Sequence, residues 1–186
     1  MASHADDLVV VGAGVSACAL AASLRQLGWG GSLTLVEAGR GVGGRSASRH
    51  SRRHPGALLN HGAPGFGIDP QRPPALLQPL LECGRLIRLN DELLGERLLD
   101  AEHQWHAGPG PCRDDGVPHR GAAGMEDLAL GLLELAEQAR RSGGPAAGAP
   151  AVRRIHGRRV QQLQGGGRDP WQLLDGAGDT LAEGRW

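Results

Sequence analysis

Apolar and polar positions follow two different periods over the first forty residues. Leu8–Val11 is an unbroken apolar, mostly β-branched run closed by Gly12, which predicts a short strand buried on both faces. Over residues 15–27, Ala17, Leu20, Ala21, Leu24 and Leu27 recur at three- and four-residue spacing. That spacing predicts a helix buried along this stripe, with Arg25 and Gln26 turned outward. Gly28 and Gly30-Gly31 predict its end. Residues 33–36 predict a second strand, finished by Glu37. A strand, glycine turn, helix and strand in this order place the two strands parallel and adjacent.

The pattern then loosens. Residues 39–75 are rich in Gly, Arg, His and Pro and hold no steady period, as in a functional or poorly ordered loop segment. Residues 75–81 are mostly apolar, but Pro79 limits any helix there. Residues 84–106 alternate irregularly, with strands expected around 86–89 and 104–105, and residues 109–118 are turn-rich. Residues 125–141 carry the clearest second helix. Leu128, Leu132, Leu135, Ala136 and Ala139 form its apolar face, with Glu126 and Asp127 at the positive end and Arg140 and Arg141 at the negative end. A Gly/Ala/Pro linker over 142–150 precedes strands expected at 152–155, 160–163 and 171–174, the last after a turn at Gly165-Gly166-Gly167. There is no internal repeat.

A chain of 186 residues suits one domain, or one domain with an insertion. Its 20 basic and 20 acidic residues cancel, which argues against nucleic acid or an anionic membrane surface as partner. Every basic residue is Arg, Lys and Tyr are absent, and Gly reaches 31, so a coding bias rather than function explains the arginine content. Cys18, Cys83 and Cys112 are odd in number and scattered. They imply no disulfide framework, and a reducing, cytoplasmic setting is the simpler expectation. The apolar stretch over residues 8–15 is too short to span a bilayer, and Asp6 and Asp7 before it make a poor signal peptide.

Chemistry enters at Gly12-Ala13-Gly14-Val15-Ser16-Ala17, a G-x-G-x-x-G/A pattern with Ala last. Gly12 permits the tight turn out of the strand. Gly14 lets a pyrophosphate approach the backbone, and Ala17 lets the helix pack on the sheet. The N–H groups at the start of the helix, around Val15 and Ser16, then face the phosphates. Glu37, at the end of the second strand, can accept from ribose hydroxyls. With its strand, helix and acid all in place, the pattern reads as a dinucleotide site.

The run that follows, Glu37-Ala38-Gly39-Arg40-Gly41-Val42-Gly43-Gly44-Arg45, resembles the E-A-x-R-x-x-G-G-R signature of the glutathione-reductase-like FAD superfamily. The resemblance is to its amine oxidase, phytoene desaturase and renalase branch. It implies that Ala38 and Arg40 join Glu37 in binding the cofactor, that Gly43 and Gly44 let the chain pass close to its pyrophosphate, and that Arg45 approaches phosphate or flavin. Physically, glycine permits the approach and Arg suits phosphate. The same run distinguishes FAD from the cofactor of a simple NAD dehydrogenase. Two shorter segments are similar to the renalase-like branch. Residues 59–66 resemble its D-x-G-A-x-x-F segment, with Asn60 where aspartate is usual, and Gly124-Met125-Glu126-Asp127-Leu128 resembles its G-M-x-x-L helix start.

The fold expected is α/β: a Rossmann-like FAD/NAD(P)-binding domain with an inserted substrate-domain segment and a β-meander. Residues 1–59 form the FAD-binding part, 60–120 the partial excursion, and 121–186 the return. The resemblance further implies a continuation through another Rossmann strand, so the chain reads as an amino-terminal part. The implied function is FAD-dependent oxidation, with hydride transfer from a small-molecule substrate to the flavin. Alternatives are a non-catalytic dinucleotide-binding remnant and an NAD(P)-binding Rossmann protein. No catalytic acid or base stands out, and oligomeric state is open.

The other candidates have plainer readings. His103, Trp105, His106 and Cys112 lack a second cluster at metal-ligand spacing, and surface histidines are expected. His50, His54 and His61 among Arg49, Arg52 and Arg53 could form an anion patch, but the arginine bias favours a solvated loop. Cys18 reads as a small buried hydrophobe, and Trp105 and Trp171 as core.

Overall fold

Residues 33–37 contribute alternate side chains to two faces, and both faces are covered. In the computed structural model, which describes residues 8–89, 97–99, 102, 104–107, 116–141, 143–166 and 169–184, this strand is central. It is β2 (Leu33–Glu37), parallel on one side to β1 (Leu8–Val11) with Leu8 opposite Leu33 and Val11 opposite Val36. Strand–turn–helix–strand is completed by α1 (Val15–Gln26), so the Rossmann-like α/β unit expected from the sequence is present.

Between β2 and the second long helix the chain runs through short antiparallel pieces. A hairpin pairs β3 (Ser48–His50) with β4 (Leu58–Asn60). Next come β5 (Phe66–Ile68), α2 (Gln78–Glu82), β6 (Leu86–Arg88), β7 (Arg97–Leu99), β8 (Trp105–Ala107) and β9 (Val117–Gly121). β9 is the middle strand of a sheet with β5 and β6, while β7 pairs with β8. The helix expected at 125–141 is α3 (Glu126–Ala139), with all five residues of its expected apolar face buried.

α3 packs against α1 on one face of the parallel sheet. Ala17, Cys18, Ala21 and Ala22 meet Leu128, Ala129, Leu132 and Ala136, together with Leu33 and Leu35 from β2. Small side chains on α1 allow the helices to approach closely. Gly131 does the same for the next layer, because a Cβ there would lie 2.8 Å from Leu80 Cδ2.

Four expectations need correction. Residues 152–155 do not open the β-meander. As β10 (Arg153–His156) they form the third strand of the parallel sheet, with Thr34 opposite Arg153 and Glu37 opposite His156. The meander is β11 (Gln162–Gly166), β12 (Asp169–Leu174) and β13 (Thr180–Gly184), so Gly165 and Gly166 lie in a strand, not in a turn. It covers the second face of the sheet, where Val36 packs with Leu173, Leu181 and Ala182. Pro79 limits the helix as expected: it sits in the first turn of the five-residue α2, where its missing N–H costs nothing. Val117 and Pro118 belong to β9 rather than to a turn.

The fourth correction is the inner face of α1. Arg25 is 0% exposed, whereas Leu20 and Leu27 are 39% and 84% exposed. The helix ends in a Schellman turn: Gly28 lies at φ +83, Gly28 N–H donates to Arg25 O, and Trp29 N–H donates to Leu24 O. The turn directs carbonyls inward, and Arg25 takes them. Its Nη1 donates to Trp29 O (2.6 Å) and Gly31 O (2.8 Å), and its Nη2 to Pro150 O (2.9 Å). Trp29 stacks over it at 5.0 Å. The carbonyls, rather than water, compensate the buried charge.

Candidate functional site

The turn between β1 and α1 is built from glycines with different duties. Gly12 adopts φ +96, and its N–H donates to Val36 O at 2.7 Å, which closes the turn against β2. Gly14 caps α1 with φ −73 and ψ 179, a conformation open to any residue, and supplies no side-chain cap. A Cβ placed on either glycine would meet no atom within 4 Å. The space over the turn is therefore open, and Gly14 is not required by the backbone.

Cys18 N–H is bonded to Gly14 O, which leaves the N–H groups of Val15, Ser16 and Ala17 outside the helical ladder. The first turn of α1 carries no acidic residue of its own. Ser16 is exposed, whereas Ala17 is buried against α3, as its small size requires.

The second glycine motif folds directly onto the first. Gly43, at φ +109, donates from its N–H to Ala13 O at 2.8 Å, and Gly14 and Gly43 form an isolated parallel bridge. A Cβ on Gly44 would lie 3.4 Å from Gly14 Cα. Ser46 Oγ–H donates to Gly43 O at 2.9 Å and fixes the loop from below. Arg45 points into solvent, while its carbonyl accepts from Ala63 N–H at 2.9 Å.

Glu37 joins the two motifs. Its Oε2 accepts from Ala13 N–H at 2.7 Å and its Oε1 from Gly39 N–H at 2.6 Å. Each carboxylate oxygen retains a lone pair, so the acid can hold the loop and still receive a hydroxyl. Ala38 and Arg40, just beyond, are exposed.

Beside the fingerprint lies an open cleft of about 870 Å³. Glu37, Ala38, Arg40 and Gly44 line one wall. Arg49, His50, Arg52 and His61 come to it from the β3–β4 hairpin and its flank, and Glu126 from the start of α3. Gly12, Gly14, Val15, Ser16, Ala17, Gly43 and Arg45 do not line this cleft. The arginine bias favours a solvated loop for these hairpin residues; in the structure Arg49, His50, Arg52 and His61 line the cleft. Their clustering depends on strand pairing, and no local motif announces it.

The hairpin is anchored to α3. Asn60 Oδ1 accepts from Ser48 Oγ–H at 2.8 Å and from Met125 N–H at 3.2 Å, and Ser48 Oγ accepts from Glu126 N–H at 3.3 Å. Asn60, at the position where the resemblance implies aspartate, thus satisfies a buried N–H at the start of α3. Cys18 is fully buried, and burial pushes its thiol up to about 11; Arg154 lowers it and Glu37 raises it further. That makes it an inert core residue, as expected.

Among the described residues no group of three His, Cys, Asp or Glu could hold a metal ion, and no helix is long and apolar enough to cross a membrane. His103 and Cys112 lie outside the described residues, as do the side chains of Trp105 and His106. Trp171 is half-buried.

Residues 10–78 match the family described as an NAD(P)-binding Rossmann-like domain. No curated protein matches the chain. Among solved structures it is similar to tetracycline destructase Tet(51), at 16% identity and a TM-score of 0.53 over 96% of this chain and 37% of that one. It also aligns with the Diels-Alderase PyrE3 of pyrroindomycin biosynthesis (17% identity, TM-score 0.47, 97% of this chain, 31% of that one). A third is 2,6-dihydroxypyridine-3-hydroxylase from Arthrobacter nicotinovorans (17%, 0.44, 98% of this chain, 36% of that one). The chain thus spans about a third of the length of the structures it matches. At 16% identity, the likeness to the destructase speaks for a shared fold alone.

Proposed function

We propose that this chain forms the dinucleotide-binding part of an oxidoreductase, and that the dinucleotide is FAD. The observation that carries the reading is the open space over Gly12 and Gly14, beside the first turn of α1, whose leading N–H groups have no partner within the helix. A glycine kept only for a turn needs a positive φ or a close neighbour, and Gly14 has neither on its own Cβ side. A ligand that approaches the backbone supplies the missing reason.

The residues suit the group. The helix N-terminus would hold its pyrophosphate, and Gly43-Gly44 would let it pass. Glu37 would orient its ribose through lone pairs left by Ala13 and Gly39. Arg40 and Arg45, both exposed, would offer guanidinium donors to it. When bound, FAD supplies a ring that accepts hydride from the substrate, and the chain's task is to hold and orient it. FAD is favoured over NAD(P) by the 37–45 run. The amine oxidase or renalase type rests on the sequence of residues 59–66 and 124–128. The family description matched by residues 10–78 favours NAD(P) as the second reading.

The decisive variant is Gly14→Ala. Its φ of −73 and empty surroundings accept a methyl group, and the entropic gain offsets the weaker cap, so stability should stay within about 1 kcal/mol of the parent. The methyl group would stand where the pyrophosphate passes. FAD affinity measured by calorimetry should fall by more than about tenfold, equivalent to about 1.4 kcal/mol. Equal affinity in the folded variant would refute the site. Nucleotide extracted from the purified chain should be FAD; NAD(P) without flavin would favour the second reading.

A further inference from the structure

The β3–β4 hairpin brings basic side chains to the cleft that the dinucleotide reading does not use. Arg49 lies in β3, opposite Leu59, and Arg52 in the hairpin loop. The loop is held by Ser51 N–H to Ala57 O at 2.9 Å, Ala57 N–H to His54 O at 3.0 Å and His54 N–H to Ser51 Oγ at 3.0 Å. Ser48 and Asn60 tie the base of the hairpin to α3. The donors are thus carried on a braced support, unlike those of a free loop.

Among the described residues neither guanidinium has a hydrogen-bond or ion-pair partner, and neither does Arg40 across the cleft. Neither of the two carboxylates in the wall is bonded to these arginines. Glu37 is engaged by two backbone N–H groups, and Glu126 lies 3.9 Å from His50. His50 and His61 complete the wall. Arg40, Arg49 and Arg52 outnumber the two carboxylates of the wall, so the cleft carries a local excess of positive charge in a chain with no net charge.

We propose that the hairpin wall is an oxyanion subsite, where Arg49 and Arg52, with His50 and His61, receive the phosphate of a phosphorylated small molecule beside the dinucleotide. Two guanidinium forks and two imidazoles offer more donors than the two oxygens of a carboxylate accept, whereas a phosphate presents three oxygens and up to two charges. This subsite stands apart from the cofactor assignment, and its test does not depend on it.

The probe is inorganic phosphate, titrated at low ionic strength into the full chain and followed through the imidazole NMR signals of His50 and His61. Both should shift saturably, with and without added FAD. Arg49→Gln/Arg52→Gln should weaken phosphate binding about fivefold or more, Arg52→Gln alone should give part of that loss, and Arg159→Gln, outside the cleft, should change nothing. Succinate should bind more weakly than phosphate. Phosphate binding that survives while FAD fails to bind would refute the cofactor reading alone. The subsite is overturned if the imidazoles do not respond, if the double variant binds like the parent, if succinate binds better, or if FAD abolishes phosphate binding.

Discussion

A guanidinium lies wholly out of water on α1 while two leucines of the same helix stand in it. Periodicity ranks side chains by polarity and cannot register three carbonyls that converge from Trp29, Gly31 and Pro150, the last 125 residues away. Cys18, two turns earlier on the same face, was legible because it needs no partner. Burial raises its thiol from the usual 9.0 to about 11, so the folded state favours the protonated form. That contribution is complete below pH 9 and is lost as pH rises toward about 11, on the order of 2 kcal/mol. Cys18→Ala should therefore flatten the fall in urea midpoint between pH 8.5 and 11 relative to the parent. Parallel curves would remove the burial argument. At pH 8, peptide-mapped alkylation should modify exposed Cys83 well before buried Cys18.

Among elements, the strand–turn–helix–strand unit could be read from the chain because each piece is local and its glycines have one purpose each. The role of residues 153–156 could not. A four-residue strand of Arg, Arg, Ile and His has no pattern that names its partner, and only β2, more than a hundred residues earlier, decides that it joins the parallel sheet. The capping of α3 was equally hidden, since its acceptors come from β3 and β4 rather than from residues just before the helix. Asn60→Leu removes the acceptor for Met125 N–H and for Ser48 and should cost about 1–2 kcal/mol by urea denaturation. Asn60→Asp keeps the acceptor and adds negative charge at the positive end of the helix. Its stability should match or exceed the parent's by up to about 1 kcal/mol, and a loss like that of the leucine variant would contradict the capping role.

At the level of the molecule, the three-layer arrangement is helices, parallel sheet and meander, with the glycine turns at one end of the sheet. The dinucleotide fingerprint was legible because residues 12–17 and 37–45 are close in sequence. The cleft beside it was not, because its walls come from both sides of the loop-rich segment and from α3. β2 has β1 on one side and needs β10 on the other. A chain ended at residue 150 would lack β10 and the meander, leaving Val36 uncovered, and should show no cooperative thermal melt, whereas the full chain should melt cooperatively. The distance along the chain also sets an order of events during synthesis. Arg25 cannot shed its water until Pro150 arrives, and β2 cannot gain its second neighbour until β10 does. At ribosomal rates of about 5–20 residues per second, that is a wait of roughly 5–25 seconds. For that interval the nascent chain presents an unpaired strand edge and an unsheltered sheet face, so its yield in a cell will depend on how quickly the ribosome travels between the two halves of one sheet.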